Sequence, residues 1–289
     1  MATARKNMND SQDNFRDRAL RFFPGGSNGE YGIPEGDAPV IERGRGCRVW
    51  DTGGREYLDM TMAWGAALVG HAHPKVLEAA NAAAANGANF AAVTRPMVEL
   101  AERIADISPC VERIRFVASG TEATMLCLRA ARAATGRAKI LKFEGAYHGQ
   151  HPEGVTSLVG SDPPELPRPD PAGTGAPWVE RDVLVAPYND LVATEQILTD
   201  HAADLAAVIV EPLHRCIPPV DGFLQGLREV TAKLGIVLVF DEVVTGFRLA
   251  LGGAQEYYGV SPDLVAYGKG LGGGFPIGAF GGRADIMGR

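Results

Sequence analysis

Two apolar runs end on residues that can do chemistry. Ile236–Phe240 closes on two carboxylates, Asp241 and Glu242, and Leu264–Tyr267 ends at Gly268 and Lys269. Runs this continuous read as strands buried on both faces, as in a parallel sheet. Two parallel strand ends then present an acid and an amine to one crevice, the place where open α/β sheets bind ligands. Lys269 is the only lysine after Lys233 and stands among Gly268, Gly270, Gly272, Gly273 and Gly274. With so little side-chain bulk around it, it is a candidate for Schiff-base chemistry with a carbonyl.

Three other strand ends carry polar groups. Ser119-Gly120-Thr121 stands between a strand and a helix start, where free amides and hydroxyls make a cradle for an anion such as phosphate. Ser followed at the third position by Glu122 is equally a plain helix cap. Tyr147-His148 follows the strand in FEGAYHG, where the aromatic either stacks on a planar ring or fills the core. Glu211 in VIVEP is a further carboxylate that orients neighbours, and Asp241 can hold a protonated ring nitrogen, cap a turn or ligate a metal. His71 and His73 in GHAHP read as structural rather than metal-ligating, and the sequence gives no metal site. There is no GxxxxGK[ST], and the arrangement a dinucleotide fingerprint needs, glycines between an early strand and a helix with an acid further on, is absent. Taken jointly, a phosphate cradle, a stacking aromatic, an acid and a lysine are the contacts that pyridoxal 5'-phosphate requires.

The elements that must position these groups follow from hydrophobic spacing. Strands are expected at Ile114–Ala118, Lys139–Phe143, Val183–Ala186, Ala206–Val210, Ile236–Phe240, Leu264–Tyr267 and Pro276–Phe280. Helices are expected at Pro96–Ile107, Glu122–Thr135, Leu191–Asp200 and Phe223–Leu234. This alternation predicts an α/β fold, a mainly parallel seven-stranded sheet with helices on both faces. Upstream, Asp13–Phe23 reads as a short helix. Val40–Ile41, Cys47–Trp50 and Tyr57–Met60 read as an antiparallel meander, and Lys75–Asn86 as an alanine-rich helix. The expected division is a small N-terminal α+β region, 1–74, and a large domain, 75–289. Gln150–Glu180 is rich in Pro, Gly and Asp without periodicity, the mark of a functional loop.

The 289 residues are 46% hydrophobic, enough for a real core. A net charge of -7 leaves no basic face for nucleic acid. Four scattered cysteines, none in a CxxC pair, indicate neither a disulfide framework nor a zinc site and fit a cytoplasmic protein. No window is apolar enough to span a membrane, and the N-terminus does not resemble a secretory signal.

The blocks FVASGTEATM, KILKFEGAYHG, VIVEP, LVFDEVVTGFR, GGAQEYYGVSPDL and YGKGLGGGFPIGAFGGRADIM resemble those of class III pyridoxal-phosphate aminotransferases of fold type I. The branch is the one that contains glutamate-1-semialdehyde 2,1-aminomutase. The resemblance implies that Lys269 is the Schiff-base lysine and Asp241 the pyridinium partner. It further implies that Ser119, Gly120 and Thr121 form the phosphate loop, and that Tyr147 and Val243 cover the two ring faces, with His148 and Glu211 beside the cofactor. It implies ping-pong transamination between a small-molecule amino donor and a carbonyl acceptor, carried out by a homodimer. Two departures from the aminomutase concern the substrate. PGGSNGEYG offers Glu30, Tyr31 and Gly32 where a carboxylate-binding arginine is expected, and the proline-rich Gln150–Glu180 replaces a glycine/serine-rich loop. Both favour transamination of another specificity, with Arg215 supplying the carboxylate contact and Trp64 a second substrate residue. The family continues past Met287, so a truncated chain is expected; the rival readings are the intramolecular aminomutase and an inactive cofactor-binding fragment.

Overall fold

The computed structural model describes residues 15–28, 39–159, 164–171 and 174–288. The chain divides into two compact units, Met1–Ala88 and Asn89–Arg289.

In the first unit, helix α1 over residues 15–22 stops at Phe23-Pro24. Strands β1 (Ile41–Arg45), β2 (Arg48–Asp51) and β3 (Glu56–Leu58) form an antiparallel meander in that order. The buried Asp51 carboxylate closes the β2–β3 turn by accepting from the Gly53 and Arg55 amides at 2.9 Å and from the Tyr57 hydroxyl at 2.7 Å. Helix α2 (Pro74–Ala84) starts on a proline, which has no amide to leave unsatisfied. The sequence placed α2 with the large domain, whereas the division of the structure falls after it, at Ala88. His71 bonds Asp59 at 2.6 Å, so it serves that turn.

In the second unit α3 (Arg95–Ile107) leads to β4 (Arg113–Val117), α4 (Gly120–Thr135) and β5 (Lys139–Phe143). The one-turn helices α5 (Pro152–Val155) and α6 (Val179–Asp182) stand in the long segment before β6 (Val183–Ala186). Then come α7 (Leu191–Asp200), β7 (Leu205–Val210), α8 (Phe223–Leu234) and β8 (Val237–Asp241). The unit ends with α9 (Gly253–Tyr258), β9 (Leu264–Tyr267), β10 (Gly278–Gly282) and α10 (Ala284–Met287). The sheet order is β4-β10-β9-β8-β7-β5-β6. Strands β9, β8, β7, β5 and β6 run parallel, and β10 is antiparallel to both its neighbours.

Alternation along the strands builds a core on each face. Leu238, Phe240, Val265 and Tyr267 join Ile104 of α3, Leu198 of α7, and Phe223 and Leu227 of α8. Val237, Val239, Leu264 and Ala266 join Ala123, Cys127 and Leu128 of α4 and Ile286 of α10. With both faces covered, the strands are apolar throughout, which is why their runs stand out in the sequence. The expected strand Pro276–Phe280 lies two residues later, at Gly278–Gly282.

Candidate active site

Because β9, β8, β7 and β5 are parallel neighbours, their C-terminal ends open on one edge of the sheet. That edge carries Lys269, Asp241, Glu211 and the Tyr147-His148 loop in succession. Close packing fixes the meeting point. A Cβ on Gly120 would come within 2.8 Å of Val243 Cγ1, and one on Gly268 within 3.2 Å of the same atom and 3.3 Å of the Gly120 Cα. The start of α4, the residues after β8 and the residue before Lys269 therefore touch one another. Lys269 itself has φ 40°, a conformation that costs a residue with a Cβ of order 1–3 kcal/mol.

Ser119 caps α4 by accepting from the Glu122 amide at 3.2 Å, and Glu122 accepts in return from the Ala118 amide at 2.6 Å. The cap thus uses the Ser119 hydroxyl. The Gly120 and Thr121 amides of the first turn have no carbonyl four residues back within the helix and point at whatever lies beyond its end. Thr121 is pressed by Gly149, where a Cβ would meet the Thr121 Cα at 2.7 Å. Thr124 bonds the His148 carbonyl, and His151 bridges Thr124 and Glu153 at 3.3 and 3.1 Å. Arg132 completes this link with 2.9 Å to Glu153.

Asp241 is held from both oxygens. His148 Nδ1 lies 2.7 Å from Oδ2, and the Val243 amide donates to Oδ1 at 3.1 Å. Burial lowers the pKa of His148 against the pull of Asp241, so the ring favours its neutral form. As the donor to a carboxylate it then carries its proton on Nδ1. Its buried Nε2 has no hydrogen-bond partner among the described residues. Asp241's neighbour Glu242 turns away from the site. It is fully buried and accepts from Thr245, from the Ala254 amide and from both nitrogens of Gln255. Of the two adjacent carboxylates, one faces the strand-end edge and the other ties α9 to the core.

Burial lowers the pKa of Lys269, partly offset by Asp241 and Glu211. Burial, then the Asp241 charge, raises Glu211 to about 8, against the opposing charges of Arg215, Lys269 and Lys142. Glu211 Oε2 and His214 Nδ1 stand 3.4 Å apart, and neither has a hydrogen bond among the described residues. Burial lowers His214 to about 4, so the pair is a neutral acid facing a neutral imidazole. The guanidinium of Arg215 lies 5.7 Å from the centre of the Tyr147 ring and donates to the Gly145 carbonyl at 3.2 Å. Trp64 belongs to the first unit, in a turn where Met62, Ala63 and Trp64 all have positive φ. Glu30, Tyr31 and Gly32 lie outside the described residues.

Sequence reasoning passed over Lys142 and His214, and with them the Thr124–His151–Glu153–Arg132 link. A lysine inside the apolar run of β5 was the available signal for the first. The others become visible only when α4 and the segment after β5 are brought together.

The residues present suit a phosphorylated pyridine aldehyde. An amine and a carboxylate flank a helix N-terminus with open amides, and that N-terminus is kept clear by a glycine whose Cβ would collide with Val243. This is the class of site found in pyridoxal-phosphate enzymes with a mainly parallel sheet. The family model for class III aminotransferases matches residues 33–289, and the chain belongs to that family. It is 46% identical over 279 residues to glutamate-1-semialdehyde 2,1-aminomutase of Desulfotalea psychrophila, covering 93% of this chain and 64% of that one. Among solved structures it is similar to an omega-transaminase from Sphaerobacter thermophilus, with a TM-score of 0.91 and 40% identity over 96% of this chain and 64% of that one. It is also similar to a transaminase with PLP bound, with a TM-score of 0.89 and 34% identity over 95% of this chain and 65% of that one. The chain thus spans about 64% of the length of the curated relatives it matches.

Proposed function

We propose that the chain is the greater part of a pyridoxal 5'-phosphate-dependent transaminase, moving an amino group between a small-molecule amino donor and a carbonyl acceptor in two half-reactions. The packing of Gly120 and Gly268 on Val243 carries this reading, because it gathers a helix N-terminus, an acid and an amine. Pyridoxal 5'-phosphate, when bound, supplies an aldehyde carbon for the amino nitrogen and a ring that withdraws electron density. The Gly120 and Thr121 amides and the Ser119-Thr121 turn bind the phosphate. Asp241, oriented by His148 and the Val243 amide, accepts from the protonated ring nitrogen. Tyr147 and Val243 supply the surfaces for the ring. Lys269, its pKa lowered by burial, offers a free amine more readily than a solvated lysine, and its Nζ carries the proton at the donor α-carbon. A neutral Glu211 adds no second negative charge beside Asp241. Arg215, next to Tyr147, meets the carboxylate of an acidic substrate.

The test is an absorption spectrum of the chain with added cofactor, before and after borohydride. The wild type is expected to show a visible band and a covalent adduct after reduction, and Lys269→Ala neither. An adduct that persists in Lys269→Ala removes Lys269 from the mechanism. The intramolecular aminomutase is the second reading, favoured by the 46% identity to an enzyme of that name. Product formation that needs an added keto acid separates transamination from it. We also propose a homodimer in the cytoplasm. Support comes from the apolar side chains Phe90, Val93, Met97 and Met125, 41–77% exposed in the second unit, and from the four free cysteines.

A further inference from the structure

Lys142 is the fourth of the five residues of β5, fully buried between Leu141 and Phe143. A charged group resists leaving water, and burial accordingly lowers this lysine to about 7. Its Nζ donates to the carbonyls of Ala146 at 2.8 Å and Gly154 at 3.2 Å, and to that of Thr156. Three acceptors match the three protons of an ammonium. The acceptors lie on two passes of chain, one in the turn after β5 and one along α5 and its C-cap. Tyr147 and His148 lie between those passes. The two passes are joined elsewhere by the His148 amide on the Gly154 carbonyl at 3.1 Å and the Gly145 amide on the Ser157 carbonyl at 2.9 Å. They run so close that a Cβ on Gly154 would meet the Gly149 carbonyl oxygen at 2.3 Å. Glu211 and Arg215 act on Lys142 electrostatically, and Lys142 in turn acts on His148 and His214.

We propose that Lys142 is the positioning residue of this loop: its Nζ, bonded to carbonyls of both passes, draws them together and so sets where His148 meets Asp241. Only the functional consequence rests on the transaminase reading. Lys142 acts through His148 and is distinct from the groups that touch the cofactor or substrate.

The experiment compares the full chain, without added cofactor, as wild type, Lys142→Met and Lys142→Arg. Hydrogen exchange is followed by mass spectrometry over residues 144–157, with β7 and β9 as references, and the His148 ring nitrogens are followed by NMR. Losing charge-assisted bonds is expected to speed exchange over 144–157 roughly ten-fold or more, with the references unchanged. The His148 Nδ1 resonance is expected to move in Lys142→Met and to return towards its position in Lys142→Arg. Exchange over 144–157 within about two-fold of wild type in a folded Lys142→Met overturns the proposal, as does an equal rise in all peptides. If Lys142→Met does not fold, the wild type decides. The amides of His148 and Gly154 should then be as protected as Lys139–Phe143, and exchange within seconds overturns the idea. Pyridoxal phosphate titration of the same proteins is read separately. A loosened loop with unchanged cofactor affinity counts against the site reading and leaves the role of Lys142 standing.

Discussion

Glu211 stands within the field of Arg215, Lys269 and Lys142 and still favours its proton, because burial and the Asp241 charge outweigh them. Its pKa rises from 4.5 to about 8 on folding. A raised pKa contributes stability that is fully present below 4.5 and lost as pH rises through about 8. Glu211→Gln keeps the shape of the neutral acid and cannot ionise. Its stability is therefore expected to match wild type at low pH and to exceed it above about pH 8, by an amount on the order of a few kcal/mol. Urea denaturation of both proteins across that range checks the crossover, and parallel curves would show that Glu211 ionises normally. At this scale the sequence was informative where a polar residue ends an apolar run, as with Asp241 and Lys269. It did not show what Glu242 does, because its partners Thr245, Ala254 and Gln255 come together around it only in the fold.

Among elements, the loop after β5 and the start of α4 depend on each other through Gly149, with φ 103° and no room for a Cβ against Thr121. Gly149→Ala is expected to cost about 2 kcal/mol or more, from the strained backbone and the collision. A lower urea midpoint at an unchanged slope measures it, and an unaltered midpoint would mean that the loop moves aside freely. The strands β5, β6 and β9 and the helices α7 and α8 were legible to the residue, since caps and apolar runs mark them locally. The segment 150–180 was not. Its polar residues His151, Glu153 and Thr156 are buried through partners on α4 and β5 that no local pattern reveals.

For the whole molecule, the mainly parallel sheet with helices on both faces was expected and is found, with β10 as the single antiparallel strand. The expected boundary falls after residue 74 and the division into compact units after Ala88, since alternation tells where helices are but not which unit they join. The proposed homodimer predicts a mass near twice 30.6 kDa by light scattering after gel filtration, and a monomer at micromolar concentration refutes it for this chain.

The place of β10 has a consequence for the order in which the protein can be made. β4 has its sheet partner at Gly278–Gly282, and a Cβ on Gly278 would meet the Ser119 carbonyl oxygen at 2.3 Å. On the ribosome, β4 and the turn that follows it emerge long before the strand that aligns them. The phosphate-binding end of the site therefore waits for Gly278–Gly282 to be translated, and a chain stalled before Gly278 would carry an exposed strand edge open to chaperones or to aggregation.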